Sequence, residues 1–306
     1  MADLATDFLR LHLKNPLVLA SGILGTSASL MERCAREGAG AVTSKSCGPE
    51  PRAGHENPVT IAWRNGVLNA IGLTNPGARD EIPLLIETKN RLAECGVAVF
   101  ASIFAPTLDQ FGEVARMIAE AEPDLIEVNI SCPNVASEFG MPFSASAESA
   151  AAVTRAVRRT VNLPISIKLA PNVPNLGEIA HAVAEEGADA ITAVNTMPAM
   201  LVDAYAAMPV LKNRTGGLSG PALKPIALRC VAEIASRVSL PIIGTGGVST
   251  GQDAAEMLMV GATLVGVGSA VWQGGPSVFA QIGKQLSEFM VAQGYEHLTD
   301  LRGRAL

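Results

Sequence analysis

"DLIEVNIS" (residues 124–131) decides the fold. It is an apolar run of strand length, and runs of this kind occur seven more times along the 306-residue chain. The others are "PLVLAS" (16–21), "AVTSKS" (41–46), "VAVFASIF" (97–104), "PISIKLA" (164–170), "DAITAVNT" (189–196), "PIIGTGGV" (241–248) and "TLVGVGSA" (263–270). They are apolar rather than strictly alternating, as parallel strands buried on both faces are. Helical patterns separate them, near 28–37, 146–161, 175–186, 222–237 and 251–260, with a last near 276–293. Another helix places Phe111, Val114, Ile118 and Ala121 on one face and opens on Thr107 and Gln110, a capping-box spacing. Eight strand–helix units in roughly 300 residues read as a (β/α)8 TIM barrel. An open doubly wound sheet would carry Gly-x-Gly-x-x-Gly after its first strand, and none is present. No linker or shift in composition interrupts the chain, so 1–306 reads as a single domain.

Composition narrows the function. The chain is 48% hydrophobic and 17% charged, with net charge −6 and an isoelectric point near 5.3. It lacks the basic stripe of a nucleic-acid binder, and Arg155, Arg158 and Arg159 read as one solvated helix face. At 4% aromatic residues, base-stacking platforms are excluded too. Five widely spaced cysteines form no Cys-x-x-Cys, so neither a zinc ribbon nor an Fe–S cluster is expected, nor a disulfide framework. The four histidines form no metal-binding pattern. The N-terminus does not read as a signal peptide. The longest apolar stretch, "MLMVGATLVGVGSAVW", is broken by glycines and too short for a bilayer. A reducing, cytoplasmic setting without membrane or nucleic-acid partners is expected.

Three strand-to-helix connections exceed plain turns: 47–77 after strand two, 132–145 after strand four and 197–221 after strand six. Such connections gather at the C-terminal, catalytic face of a barrel. The strand ends that meet there are Ser21-Gly22, Lys45-Ser46, Ser102, Asn129 with Ser131-Cys132, Lys168, Asn195-Thr196, Gly246-Gly247 and Gly268-Ser269. Strand ends are where polar residues ordinarily begin, which accounts for the glycines and some serines. It does not account for two lysines, because an unpartnered buried ammonium is costly. The glycines after strands seven and eight stand where barrels commonly hold phosphate, with backbone N–H groups open to close approach. "NAIGL" (69–73), in a loop that also carries the turn signal Asn-Pro-Gly, has the fixed donors and the glycine to meet a flat polar ring.

Cys132 admits two readings. A buried cysteine is ordinarily an inert filler. This one follows a strand end, precedes Pro133 and opens a long loop, where a thiol can reach a ligand and exchange a proton. Cys47, two residues beyond Lys45, is the competitor.

Together these motifs resemble class 1 dihydroorotate dehydrogenase, an FMN-dependent TIM-barrel enzyme of pyrimidine synthesis. The resemblance runs through "LASG", "VTSKS", "NAIGLTNPG", "NISCPN", "IKLAP", "VNT", "GGLSGPALKP", "GTGGV" and "GVGSAV", in the family's order and over nearly the whole chain. "NAIGL…NPG" and "GGLSGPA.KP" look most like the 1B group. The resemblance implies that Cys132 is the general base and that Lys168 lies by the flavin. It implies substrate contacts from Lys45, Asn69, Ala70, Ile71, Gly72, Leu73, Asn129, Asn134, Asn195 and Thr196. It implies FMN contacts from Ser21, Lys45, Ser46, Asn129, Lys168, Val194, Gly220, Gly246, Gly247, Gly268 and Ser269. Ser102 stands where relatives often have Asn, and it is kept as a flavin contact of shorter reach. The resemblance also implies a homodimer and a separate electron-transfer subunit with FAD and a [2Fe–2S] cluster that passes electrons to NAD⁺. The rivals are a related flavoprotein acting on another dihydropyrimidine and a barrel that binds a ligand without catalysis.

Overall fold

A computed structural model describes residues 2–131 and 143–306. Eight parallel strands close into a barrel: β1 (Leu17–Leu19), β2 (Ala41–Thr43), β3 (Ala98–Ile103), β4 (Leu125–Asn129), β5 (Ile165–Leu169), β6 (Ala190–Ala193), β7 (Ile242–Thr245) and β8 (Leu264–Val267). Each pairs with the next, and β8 closes on β1 through Val265↔Leu17. This is the expected (β/α)8 TIM barrel, and all eight strands fall within the apolar runs.

The outer ring consists of α1 (Ala28–Arg36), α2 (Ala78–Leu92), α3 (Leu108–Ile118), α4 (Ala147–Arg158), α5 (Leu176–Glu185), α6 (Lys224–Ala235), α7 (Gly251–Met259) and α8 (Val278–Gln293). Four of them start on hydroxyl caps that accept an otherwise orphaned backbone N–H: Ser27, Thr107, Ser146 and Thr250. At Thr107 the oxygen takes the Gln110 N–H, and the hydroxyl donates to the Gln110 side chain. The reciprocal capping box forms at Thr250 and Asp253.

Two cores divide the barrel wall by parity. Outward residues such as Val99, Ala101, Ile126, Val128, Ile165 and Ile167 pack against the helices. Val18, Ala98, Phe100, Leu125, Ile243 and Leu264 form a separate inner cluster, joined by Phe8 and Leu13 from an N-terminal hairpin (Thr6–Phe8, Leu11–Leu13) that plugs the barrel floor. The Phe8 and Phe100 rings lie 6.0 Å apart. Further toward the mouth, β3 to β6 present Ser102, Glu127, Lys168 and Thr192, all buried. The barrel is therefore apolar below and polar above, and this gradient builds the site.

The connections after β2 and β6 are not loops throughout. They form a four-stranded antiparallel sheet in the order Met197–Ala199, Gly216–Ser219, Gly66–Asn69, Thr60–Trp63. The connection after β4 lies mostly outside the described residues. Among the described residues no helix is long and apolar enough to cross a membrane.

Candidate active site

At the mouth, eight of the residues singled out from the sequence join one hydrogen-bonded chain. The Lys168 ammonium donates to Ser21 Oγ at 3.0 Å and to Glu127 Oε1 at 3.2 Å. Ser102 Oγ donates to the same carboxylate oxygen at 3.0 Å and contacts Ser46 Oγ at 2.8 Å. The Asn129 amide reaches Ser46 Oγ at 3.5 Å. Asn129 Oδ1 in turn accepts from the Ser131 hydroxyl at 2.9 Å and from Asn195 Nδ2 at 3.4 Å, and Asn195 Nδ2 also meets Ser131 Oγ at 2.5 Å. Asn195 Oδ1 holds the Thr196 N–H at 2.8 Å. Lys45 comes up beside Gly22, so two cationic strand ends flank the end of β1.

Ladder register explains the convergence. Asn129 pairs with Lys168 and Ser102 with Glu127 across adjacent strands, so side chains of the same parity meet inside the barrel. The Lys168–Glu127 pair is nearly dry, with side chains 7% and 5% exposed. Removing one partner of such a pair costs about 3–5 kcal/mol, because it strands a buried charge. The sequence reading missed Glu127. Its one signal was a carboxylate inside a strand otherwise apolar and buried on both faces.

The glycines after β7 and β8 form a cradle. Gly246 and Gly247 take φ of 142° and 77°, conformations that side chains oppose. A Cβ on Gly247 would stand 2.8 Å from the backbone nitrogen of Lys224 and 2.9 Å from the Gly220 carbonyl oxygen. Gly220, at φ 86°, packs in turn on Gly66, which ties this corner to the four-stranded sheet. At Gly268 a Cβ would meet Ala20 at 3.6 Å, an ordinary van der Waals contact, so this glycine is not required by packing. Among the described residues, the N–H groups of Gly247, Val248, Ser269 and Ala270 donate to no backbone carbonyl. Backbone donors without a carbonyl partner beside glycines suit an anionic group such as a phosphate. Lys224 does not point its charge there. It is held by Asp253 at 2.6 Å and Glu256 at 2.7 Å, which clamps α6 to α7 behind the cradle.

The "NAIGL" segment leaves the sheet at Asn69, whose amide donates to Gly217 O at 3.3 Å. That contact sets the segment against Thr196, into whose hydroxyl a Cβ on Gly217 would run. Ala70 is buried, and Gly72 and Leu73 both have positive φ, 80° and 58°. The space a Cβ would need at Gly72 is filled by His55, so local packing already requires this glycine. Asn75 fastens the turn by accepting from Gly48 N and Gly77 N and donating to Leu73 O. Val194 is buried and donates its N–H to Thr245 O, joining the end of β6 to that of β7. Cys132 and Asn134 lie outside the described residues.

Cys47, the competitor, is fully buried behind β2, and burial pushes its thiol well above the ordinary range. It faces Glu81, on the first turn of α2. Burial raises the Glu81 carboxyl to about 7, opposed by the Ser44 side chain. A raised acid favours the protonated fold. Its stabilising effect is complete below the ordinary value of 4.5 and is lost as pH climbs through about 7. The difference amounts to about 3 kcal/mol. Glu81→Gln is expected to abolish this loss, so that denaturant melts at pH 5 and pH 8 differ less in the variant than in the parent. An unchanged difference would refute the assignment.

Fold and mouth together define a TIM-barrel enzyme with a glycine cradle beside a charged, hydrogen-bonded pocket. The family model described as dihydroorotate dehydrogenase matches residues 3–290, and the chain belongs to that family. Among its relatives, the Methanosarcina mazei protein named "Dihydroorotate dehydrogenase B (NAD(+)), catalytic subunit" is 44% identical over 299 residues, covering 96% of this chain and 93% of the relative. Proteins of the same name from Methanothermobacter thermautotrophicus and Pyrococcus abyssi are 40% and 39% identical. They cover 99% of this chain and 98% and 99% of their own lengths.

Proposed function

We propose that this chain oxidises dihydroorotate to orotate in de novo pyrimidine synthesis, as the catalytic FMN subunit of a 1B-type enzyme. The observation that carries the reading is the dry Lys168–Glu127 pair within a continuous hydrogen-bonded chain from Asn195 to Ser21, beside a glycine cradle. Bound FMN would supply a two-electron acceptor for the hydride that leaves C6 of the substrate. Cys132 removes the C5 proton. Lys168 stands by the flavin ring, where its positive charge favours the electron-rich form. Ser21, Ser46, Ser102, Val194 and Gly220 line the ring, and Gly246, Gly247, Gly268 and Ser269 hold the phosphate. Lys45, the segment Asn69–Leu73, Asn129, Asn134, Asn195 and Thr196 fix the substrate's carboxylate and ring amides.

Anaerobic mixing of the yellow protein with dihydroorotate or dihydrouracil tests this. Bleaching by dihydroorotate alone is expected. Bleaching by dihydrouracil alone would move the chain to another dihydropyrimidine, and no bleaching by either would make it a binding barrel.

The electron route follows from the chain's content. No dinucleotide fingerprint follows any strand, and the cysteines form no cluster motif. The relatives are named as catalytic subunits with NAD(+) in their names, which supports a separate partner carrying FAD and a [2Fe–2S] cluster. The isolated chain, a cytoplasmic homodimer in this reading, is expected to reduce artificial dyes but neither NAD⁺ nor fumarate at speed. Rapid NAD⁺ reduction by the pure chain would overturn the partner, and rapid fumarate turnover would place it with the 1A group.

A further inference from the structure

Glu127 has no part in the roles assigned above, yet the mouth is organised around it. Hydroxyl protons give the hydrogen-bonded chain a direction. Ser102 has one proton, and it goes to Glu127 Oε1, since an ionised carboxylate only accepts. The 2.8 Å contact between Ser102 and Ser46 must then be donated by Ser46. With its own proton spent, Ser46 can only accept from Asn129, which fixes the Asn129 side chain with Nδ2 toward β2 and Oδ1 toward Ser131 and Asn195. From the other side Lys168 donates to the same carboxylate oxygen, and Ser21 holds the ammonium at 3.0 Å. One carboxylate thus anchors the cation and orients the amides.

We propose that Glu127 is a positioning residue: it holds Lys168 in place, sets the donor direction from Asn129 to Ser102, and offsets the positive charge presented to the ligand. The part concerning flavin rests on the function proposed above. The carboxylate is 4% exposed, level with Ser102 and Ser166 and with Phe100 and Leu125 one pleat beneath, so its charge acts in a poorly screened setting. Gln is isosteric with Glu and fills the same volume. A residue that merely packs would be replaced by Gln without consequence, whereas one acting through charge and acceptor capacity would not.

Sulfite, which adds reversibly to flavin N5 and binds more tightly as nearby positive charge grows, is the probe. In Glu127→Gln, Lys168 loses its counter-charge. The variant is expected to retain flavin and to bind sulfite on the order of tenfold more tightly. For a two-electron couple that equals about 30 mV toward positive potential. A second arm needs no flavin. Thermal melts of the flavin-free chain are compared for Glu127→Gln, Lys168→Met and the double variant. Each single change strands one buried charge, so the double variant is expected to lose less Tm than the two singles summed. If Glu127→Gln alone does not fold, a folded double variant is the extreme form of that result. Sulfite affinity within twofold of the parent, or additive Tm losses, would overturn the proposal. A parent protein that purifies without flavin would instead count against the proposed function, and the melting cycle would still decide the pairing.

Discussion

Replacing Cys132 by alanine is expected to slow bleaching of the bound flavin by dihydroorotate about 10²–10⁴-fold, with FMN and orotate binding retained. Loss of a general base removes one proton transfer and leaves the binding contacts in place, so the effect belongs in the rate of flavin reduction. The other cysteines offer little relief. Cys34, Cys47 and Cys230 are buried, and burial raises all three thiols. Cys95 follows α2 and precedes β3, at the barrel end opposite the mouth. Cys132→Ser is expected to recover part of the rate as pH rises, because a hydroxyl is a poor base at neutrality. Stopped-flow traces of Cys132→Ala that match the parent would remove Cys132 from the mechanism.

Gly247→Asp is expected to yield a folded but colourless protein. At φ 77° any side chain strains the backbone, by about 1–3 kcal/mol. Its Cβ would press on the backbone of Lys224 and Gly220, which form the far wall of the cradle. The carboxylate would then face the bared N–H groups in place of phosphate and repel the dianion. Circular dichroism should report an intact fold while the flavin absorbance is lost. A yellow Gly247→Asp protein with full flavin content would place the phosphate elsewhere.

The barrel was legible because each strand is an unbroken apolar run and several helices begin at a serine or threonine that caps them. Lys168, Asn129 and Asn195 were legible as polar residues ending such runs. Glu127 was not, for a physical reason: "DLIEVN" reads as apolar until inward and outward positions are separated. Leu125, Glu127 and Asn129 then fall on the inner face, and Ile126 and Val128 against the helices. That separation needs the register of neighbouring strands, which no local pattern supplies. The four-stranded sheet was hidden likewise. Its strand "GGLS" has weak strand propensity, and the Asn69–Gly217 contact joins residues 148 apart. Gly72 had a visible turn context, but its packing partner, His55, emerges only once the connection has folded.

The roof over the mouth is woven from two segments that the chain keeps far apart. Strand Gly66–Asn69 pairs on one side with Thr60–Trp63 and on the other with Gly216–Ser219, and Gly220 rests on Gly66 while its carbonyl abuts Gly247. Transplanting 47–77 from a relative with another substrate preference would therefore bring one half of a seam without its counterpart, and would disturb the cradle through Gly220. The two segments are joined in one sheet, so replacing either alone would leave the other with a ladder missing.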